Sequence, residues 1–194
     1  MSADGGEPVG IGLGSNVGDR IAALEEALSR LASLDGLDLV AVSSVWDTSP
    51  VGGPPQDDFR NAAALFRSSL GPREILGALL ETERALGRVR DGVRDGPRRI
   101  DCDLLFHGDS VVSDGPGSSD APGSPGDGLL LPHPRMAERR FVLEPLAEVA
   151  PTWRHPVLER TVLELRDRLA GVDQGRVQPV GELRVGELGA GSSS

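Results

Sequence analysis

The chain has 194 residues, of which 38% are hydrophobic and 26% charged, a composition that fits one globular domain with a possible tail. Its net charge of −10 argues against a general nucleic-acid binder, which needs a basic surface. The absence of Lys excludes a P-loop NTPase, and the single Cys102 excludes an intramolecular disulfide. No apolar run predicts a membrane span and the N-terminus lacks a secretory pattern, so a cytoplasmic protein is expected.

The first part of the chain alternates between strand and helix patterns. Short runs rich in Val, Leu and Ala predict strands at residues 9–14, 37–46, 59–68 and 99–106. Ile and Leu spaced by three and four residues predict helices at residues 21–34 and 72–86, with Asp19 as the candidate cap of the first. The resulting order, β-α-β-β-α-β, is the split βαβ pattern and predicts a ferredoxin-like α+β sandwich with an antiparallel sheet and helices.

The remainder predicts helices, a flexible insertion and a tail. Helical patterns continue at residues 135–149 and 162–169. Residues 113–128 are of low complexity and contain no apolar residue larger than Ala or Pro, so they predict a flexible surface insertion. We therefore expect one domain at residues 1–170 and a partly disordered C-terminal tail at residues 171–194.

A glycine-rich stretch at residues 12–18 resembles a dinucleotide-binding fingerprint without matching it. Its spacing is G-x-G-x-x-x-G, and no acidic residue follows at the end of a clear second strand. A tight turn from strand to helix is the simpler interpretation. The alternative is close approach of the backbone to a ligand, which Gly permits.

Asp101 and Asp103 form the strongest candidate site. They lie two residues apart on a predicted strand, so both carboxylates point to one face and need a compensating cation. Hard oxygen ligands suit Mg²⁺, although a solvent-facing strand edge is an equally simple interpretation of the pair alone. A preceding cluster of Arg favours a polyphosphate site, while interleaved Asp residues allow a merely solvated loop. The cluster comprises Arg84, Arg88, Arg90, Arg94, Arg98 and Arg99.

His133 is the remaining candidate. Prolines on both sides place it rigidly, and it could donate to phosphate or transfer a proton. Taken in isolation, a structural role is the simpler interpretation.

Together these residues carry a family resemblance. The chain resembles the 6-hydroxymethyl-7,8-dihydropterin pyrophosphokinases, through motifs that occur in order from about residue 9 to residue 151. The most specific motif is Gly-Pro-Arg-Arg-Ile-Asp-Cys-Asp-Leu-Leu at residues 96–105. The others lie at residues 12–16, 43–50, 59–63, 83–90, 131–136 and 139–146.

The resemblance implies a ferredoxin-like fold and direct transfer of pyrophosphate from ATP to the pterin, with AMP released. It also implies two Mg²⁺ ions held by Asp101 and Asp103, small-molecule substrates only, and a monomer. The implied catalytic residues are Arg88, Arg98, Asp101 and Asp103. The implied ATP-binding residues are Glu83, Arg88, Arg90, Arg98, Ile100, His133 and Arg139. The implied pterin-binding residues are Thr48, Ser49, Pro50, Val51, Asn61 and Phe141.

The sequence departs from the family pattern at several positions, and two other functions are considered. Asp95 stands where some members carry a Trp, and the insertion at residues 113–128 and the tail lie outside the matching motifs. A metal-dependent nucleotidyltransferase would also use an Asp-x-Asp pair, with Asp47 as the nearest third carboxylate. A ferredoxin-like RNA-binding module is opposed by the acidic charge and the lack of aromatic strand motifs.

Overall fold

The computed structural model describes residues 6–88, 96–113 and 128–184. Arg90, Asp95 and most of the predicted insertion lie outside the described residues. The helices are α1 (Arg20–Ala32), α2 (Pro72–Ala85), α3 (Arg140–Val149) and α4 (Val162–Arg168). The strands are β1 (Glu7–Ser15), β2 (Leu37–Val42), β3 (Ser44–Thr48), β4 (Phe59–Ser68), β5 (Asp101–His107), β6 (Val112–Ser113), β7 (Leu130–Leu131), β8 (Arg154–His155), β9 (Arg160–Thr161) and β10 (Val177–Glu182).

The main sheet has six strands in the order β10-β3-β4-β1-β5, and β2 also pairs with β4. All of these pairings are antiparallel, which confirms the predicted ferredoxin-like α+β architecture. The single strand predicted at residues 37–46 was wrong in one respect, because it is divided between β2 and β3. Ser43 makes the break: its backbone N–H donates to the carbonyl of Ala63, and its hydroxyl accepts from the N–H of Ala63.

Helices cover both faces of this sheet. On one face, α1 and α2 pack on strand residues that include Ile11 and Phe66. On the other face, α3 and α4 pack on a second cluster around Leu105 and Phe106. Local sequence fixes the helix starts, because the carboxylate of Asp19 accepts from a first-turn N–H of α1, as predicted.

Part of the predicted tail belongs to the sheet. Strand β10 pairs with β3 along the edge of the sheet, so residues 177–182 have a defined place in the fold. Residues 185–194 lie outside the described residues. Among the helices within residues 6–88, 96–113 and 128–184, none combines the length and apolar character needed to span a membrane.

Candidate active site

The carboxylates of Asp101 and Asp103 lie on one face of β5, as the alternation of the strand predicts. Cys102, between them, points to the opposite face and is buried in the core against α1 and α2. On the neighbouring strand β1, Gly14 is paired with Asp101 and Gly12 with Asp103. Because glycine has no side chain, β1 places no side chain beside either carboxylate at these two positions.

The two carboxylates have different surroundings. Asp101 accepts hydrogen bonds from the guanidinium groups of Arg88 and Arg98, the latter at 2.6 Å from Nη1 to Oδ2. Burial raises the pKa of Asp103 to about 7, and the negative charges of Asp101 and Glu83 add to that increase. The surroundings of Asp103 therefore disfavour its charged form, and a nearby cation would favour it.

These residues fit a magnesium site that is completed by a ligand. Mg²⁺ commonly takes one or two protein carboxylates, together with water and substrate phosphate oxygens. The raised pKa of Asp103 indicates that a cation beside the pair would relieve its charge. Within the part of the chain that the structure describes, no group of three potential His, Cys, Asp or Glu ligands is found.

Glu83 contacts the backbone of β5 between Asp101 and Asp103, and it also contacts Arg88. It is buried in the last turn of α2, and its carboxylate accepts from the backbone N–H of Cys102 at 2.8 Å and from the guanidinium of Arg88. Arg88 in turn contacts Asp101. The Glu83 side chain thus contacts the β5 backbone and Arg88, and it is not among the residues that line the pocket in front of Asp101.

That pocket lies between the sheet and the start of α3. It brings together nine of the residues predicted for the site and also includes residues that the sequence analysis did not assign. The predicted residues that line it are Thr48, Ser49, Val51, Asn61, Arg98, Asp101, Asp103, Arg139 and Phe141. The unassigned ones are Gly12, Leu13, Gly14, Gln56, Phe59, Ala62, Ala63, Leu105 and Val142. Pro50, Glu83, Arg88, Ile100 and His133 are not among its lining residues.

One end of the pocket combines an amide with two aromatic rings. Asn61 is buried on β4, and its side-chain amide donates to the hydroxyl of Thr48 at 2.7 Å. The rings of Phe59 and Phe141 line the same pocket. Phe59 was missed, although its position two residues before Asn61 on a strand places both side chains on one face. This end suits a flat, polar-edged heterocycle.

A guanidinium group lies over each ring. The centre of the Arg98 guanidinium is 5.5 Å from the centroid of the Phe59 ring. The corresponding distance from Arg139 to Phe141 is 5.3 Å. Both distances are within the range of cation–π attraction, so the aromatic end passes directly into a positively charged region.

Asn16 connects the glycine-rich stretch to Arg98. The backbone N–H of Asn16 donates to the carbonyl of Arg98 at 3.1 Å, and the N–H of Arg98 donates to the Asn16 side chain at 2.8 Å. The stretch is not a tight turn throughout, because β1 continues to Ser15 and only the residues after it form the turn. Gly14 permits close approach of another kind than the ligand contact considered above: a Cβ there would lie 2.7 Å from the side-chain oxygen of Asn61.

His133 and Ile100 lie beside the pocket rather than in its lining. His133 donates its backbone N–H to the carbonyl of Leu105, and its Nδ1 accepts from the N–H of Arg135 at 3.2 Å. Burial lowers the pKa of His133 to about 4, and the charge of Arg139 contributes in the same direction. Ile100 is fully buried in the core.

The low pKa of His133 predicts a loss of stability in mild acid. The unfolded chain takes up a proton near pH 6.5, whereas the folded protein resists protonation until about pH 4. Stability is therefore complete above pH 6.5 and falls as the pH decreases towards 4, by about 3 kcal/mol from this group. Chemical denaturation at several pH values measures the slope. His133→Asn keeps an acceptor for the N–H of Arg135 and should show a shallower slope; an unchanged slope would contradict the assignment.

Asp47 does not join the carboxylate pair. It lies on β3, where its carboxylate contacts the guanidinium groups of Arg60 and Arg176, and it is not among the pocket-lining residues. A nucleotidyltransferase site that uses Asp47 as a third metal ligand is therefore not formed in this fold.

Comparison with known proteins agrees with this geometry. The family model for 7,8-dihydro-6-hydroxymethylpterin-pyrophosphokinase (HPPK) matches residues 10–151. A 2-amino-4-hydroxy-6-hydroxymethyldihydropteridine pyrophosphokinase from Synechocystis sp. is 38% identical over 170 residues, covering 88% of this chain and 78% of the relative. The protein of the same name from Methylorubrum extorquens is 44% identical over 141 residues, covering 73% and 81%.

Solved structures show the same fold. The chain matches Plasmodium falciparum HPPK-DHPS crystallised with pterin and p-hydroxybenzoate, with a TM-score of 0.67 and 15% identity, over 88% of this chain. It spans 45% of that longer solved chain. The sequence relatives and the family model confirm the resemblance inferred from the motifs. The chain therefore belongs to the 7,8-dihydro-6-hydroxymethylpterin-pyrophosphokinase family.

Proposed function

We propose that the pocket between the sheet and α3 binds ATP and 6-hydroxymethyl-7,8-dihydropterin side by side and transfers pyrophosphate from the first to the second. This is the reaction of the family, and it makes the chain a transferase of folate biosynthesis. The observation that carries the assignment to this pocket is that a carboxylate pair and an aromatic, amide-lined end share one cavity.

The pterin is proposed to occupy the aromatic end. Its flat ring would lie between Phe59 and Phe141, where apolar faces exclude water from both sides. Asn61 and Thr48 would hydrogen-bond the polar edge of the ring, and the backbone at residues 49–51 would complete the recognition. Since the Asn61 amide already donates to Thr48, its carbonyl oxygen is oriented before the substrate arrives.

The ATP phosphates are proposed to occupy the charged end. Asp101 and Asp103 would hold two Mg²⁺ ions, which when bound supply positive charge to the phosphates. Arg98 and Arg139 line this part of the pocket and would bind phosphate oxygens. Arg88, held by Glu83 and Asp101, lies just behind, and Arg90 and His133 complete the proposed nucleotide contacts.

The chemistry is a displacement at the β-phosphorus of ATP. The hydroxymethyl oxygen forms a bond to that phosphorus and loses its proton. The bond from the same phosphorus to the α-phosphate oxygen breaks, and AMP leaves with the electron pair. The residues of the chain contribute by placing the two reactants in line and by neutralising the phosphate charge.

The test is direct. The purified protein is incubated with ATP, Mg²⁺ and the pterin alcohol, and the products are separated by chromatography. AMP and pterin diphosphate formed in equal amounts support the proposal. Release of inorganic pyrophosphate, or no reaction in the presence of Mg²⁺, would overturn it. The monomeric state and the cytoplasmic location remain predictions from the sequence. Measurement of the molecular mass in solution tests the monomeric state.

Phe141→Ala is expected to weaken pterin binding much more than ATP binding. Removal of the ring exposes one face of the bound pterin, so its Kd should rise by about tenfold or more, since an aromatic pair contributes on the order of 1 kcal/mol beyond the buried area. Titration calorimetry with each substrate separately measures both affinities. Leu163→Ala, which truncates an exposed apolar residue on α4, is the control and should change neither. Equal losses for ATP and pterin would contradict the stacking role.

A further inference from the structure

Residues 173–176, which we name the C-terminal strap, contact two separate walls of the pocket. One wall is the end of β3 with Thr48 and Ser49, and the other is the start of α3 with Arg139 and Phe141. The strap precedes β10 and lies beyond the residues matched by the family model, which end at 151. It does not line the pocket itself.

The first contact of the strap is with the α3 wall. The side-chain oxygen of Gln174 accepts from the backbone N–H of Arg140 at 2.8 Å. Its amide nitrogen donates to the carbonyl of Glu138 at 2.9 Å. One side chain therefore holds the backbone on both sides of Arg139, immediately before Phe141.

The second contact is with the β3 wall. The N–H of Ser49 donates to the carbonyl of Arg176 at 3.0 Å, and the N–H of Arg176 donates to the hydroxyl of Ser49 at 3.1 Å. The Arg176 guanidinium also reaches Asp47 at 3.1 Å and Asp58 at 2.9 Å. These two carboxylates stand at opposite ends of the loop that carries Ser49, so Arg176 holds that loop at both of its ends.

Gly175 lies between Gln174 and Arg176 and allows the strap backbone to approach Ser49 closely. Gly175 has a φ of +73°, a conformation that side chains disfavour. A Cβ at Gly175 would lie 2.8 Å from the Cβ of Ser49. The strap can therefore lie against the β3 wall only because this position is glycine.

We propose that the C-terminal strap is a positioning element for the pterin end of the site, holding the Ser49 wall and the Phe141 wall at the separation that the pterin ring requires. The inference rests on the proposed function of the pocket. Gln174 and Arg176 are positioning residues, since they act through Arg140, Ser49, Asp47 and Asp58 rather than on a substrate. The proposed phosphate site is built mainly by Asp101, Asp103 and Arg98, whereas the hydrogen bonds of the strap go to Ser49 and to the backbone around Arg139. The strap should therefore affect the pterin more than the nucleotide.

The test compares four substitutions by steady-state kinetics and thermal unfolding. Gln174→Ala and Arg176→Ala should each raise the KM for the pterin by about fivefold, from the loss of two hydrogen bonds or ion pairs. The KM for ATP should change by less than about twofold in either variant. Gln178→Ala and Arg168→Ala are the matched controls, because both side chains are exposed and lie near the strap in sequence, and both should behave as the wild type.

Amide hydrogen exchange provides a readout that does not depend on catalysis. The N–H of Arg140 should exchange faster in Gln174→Ala, and the N–H of Ser49 should exchange faster in Arg176→Ala. If both amides stay as protected as in the wild type, or if the KM values for pterin and ATP rise equally, the positioning role is wrong. A wild-type protein that forms no AMP would overturn the proposed function instead, and the exchange measurement would still decide whether the strap fixes the two walls.

Discussion

Asp103→Asn is expected to abolish pyrophosphate transfer and to stabilise the unliganded protein. The amide is a poor ligand for Mg²⁺, so we expect kcat to fall by about three orders of magnitude or more. Stability should rise because burial and neighbouring carboxylates raise the pKa of Asp103 to about 7. At pH 8 the wild type keeps that carboxylate charged at a cost that the amide avoids, so the Tm of the variant should be higher.

Asp101→Asn provides the contrast. It should lose activity to a similar extent, but its Tm should fall, because Asp101 contacts the guanidinium groups of both Arg88 and Arg98. Asp38→Asn, on the exposed side of β2, is the control and should change neither kcat nor Tm. An Asp103→Asn protein that keeps wild-type kcat would refute the metal-binding role of the pair.

Glu83→Ala is expected to have the largest effect on stability. The substitution removes the acceptor of the Cys102 N–H and leaves Arg88 without one of its two carboxylate partners. Removal of one member of a buried charged pair costs about 3 kcal/mol, and relief of the charge on Asp103 offsets only part of this. For a chain of this size that corresponds to a decrease in Tm of roughly 6–12 °C.

The matched control for Glu83→Ala lies on the same helix. Glu81 is exposed on α2, so Glu81→Ala should change the free energy of unfolding by less than about 0.5 kcal/mol. Thermal unfolding followed by circular dichroism measures both variants. If Glu83→Ala and Glu81→Ala unfold at the same temperature, Glu83 does not stabilise the β5 backbone as its hydrogen bonds indicate.

The features that the sequence predicted well are those with a local cause. Alternation along β5 placed Asp101 and Asp103 on one face, and the cap residue Asp19 set the start of α1. The break at Ser43 was not predictable in this way. It depends on hydrogen bonds to Ala63, 20 residues further along the chain, and the intervening apolar pattern runs on without a visible interruption.

The parts of the site that were missed depend on contacts between distant segments. Glu83 was assigned to ATP, but only the folded chain shows that its carboxylate meets the N–H of Cys102. The strap was missed for the same reason, since Arg176 and Ser49 are 127 residues apart. Residues 174–188 show only weak alternation, which allows a strand pair or an ordered tail, because the edge strand β10 is mostly exposed on both faces.

The position of Gly14 on β1 sets the distance between Asn61 and Asp101. Gly14 pairs with Asn61 on one side and with Asp101 on the other, so β1 is the one strand between these two residues, which are proposed to contact different substrates. Two inter-strand spacings amount to about 10 Å. The spacing between Asn61 and Asp101 is thus a property of the sheet. Under the proposed function, a change in the separation of donor and acceptor would require a change of strand register rather than a substitution in a loop.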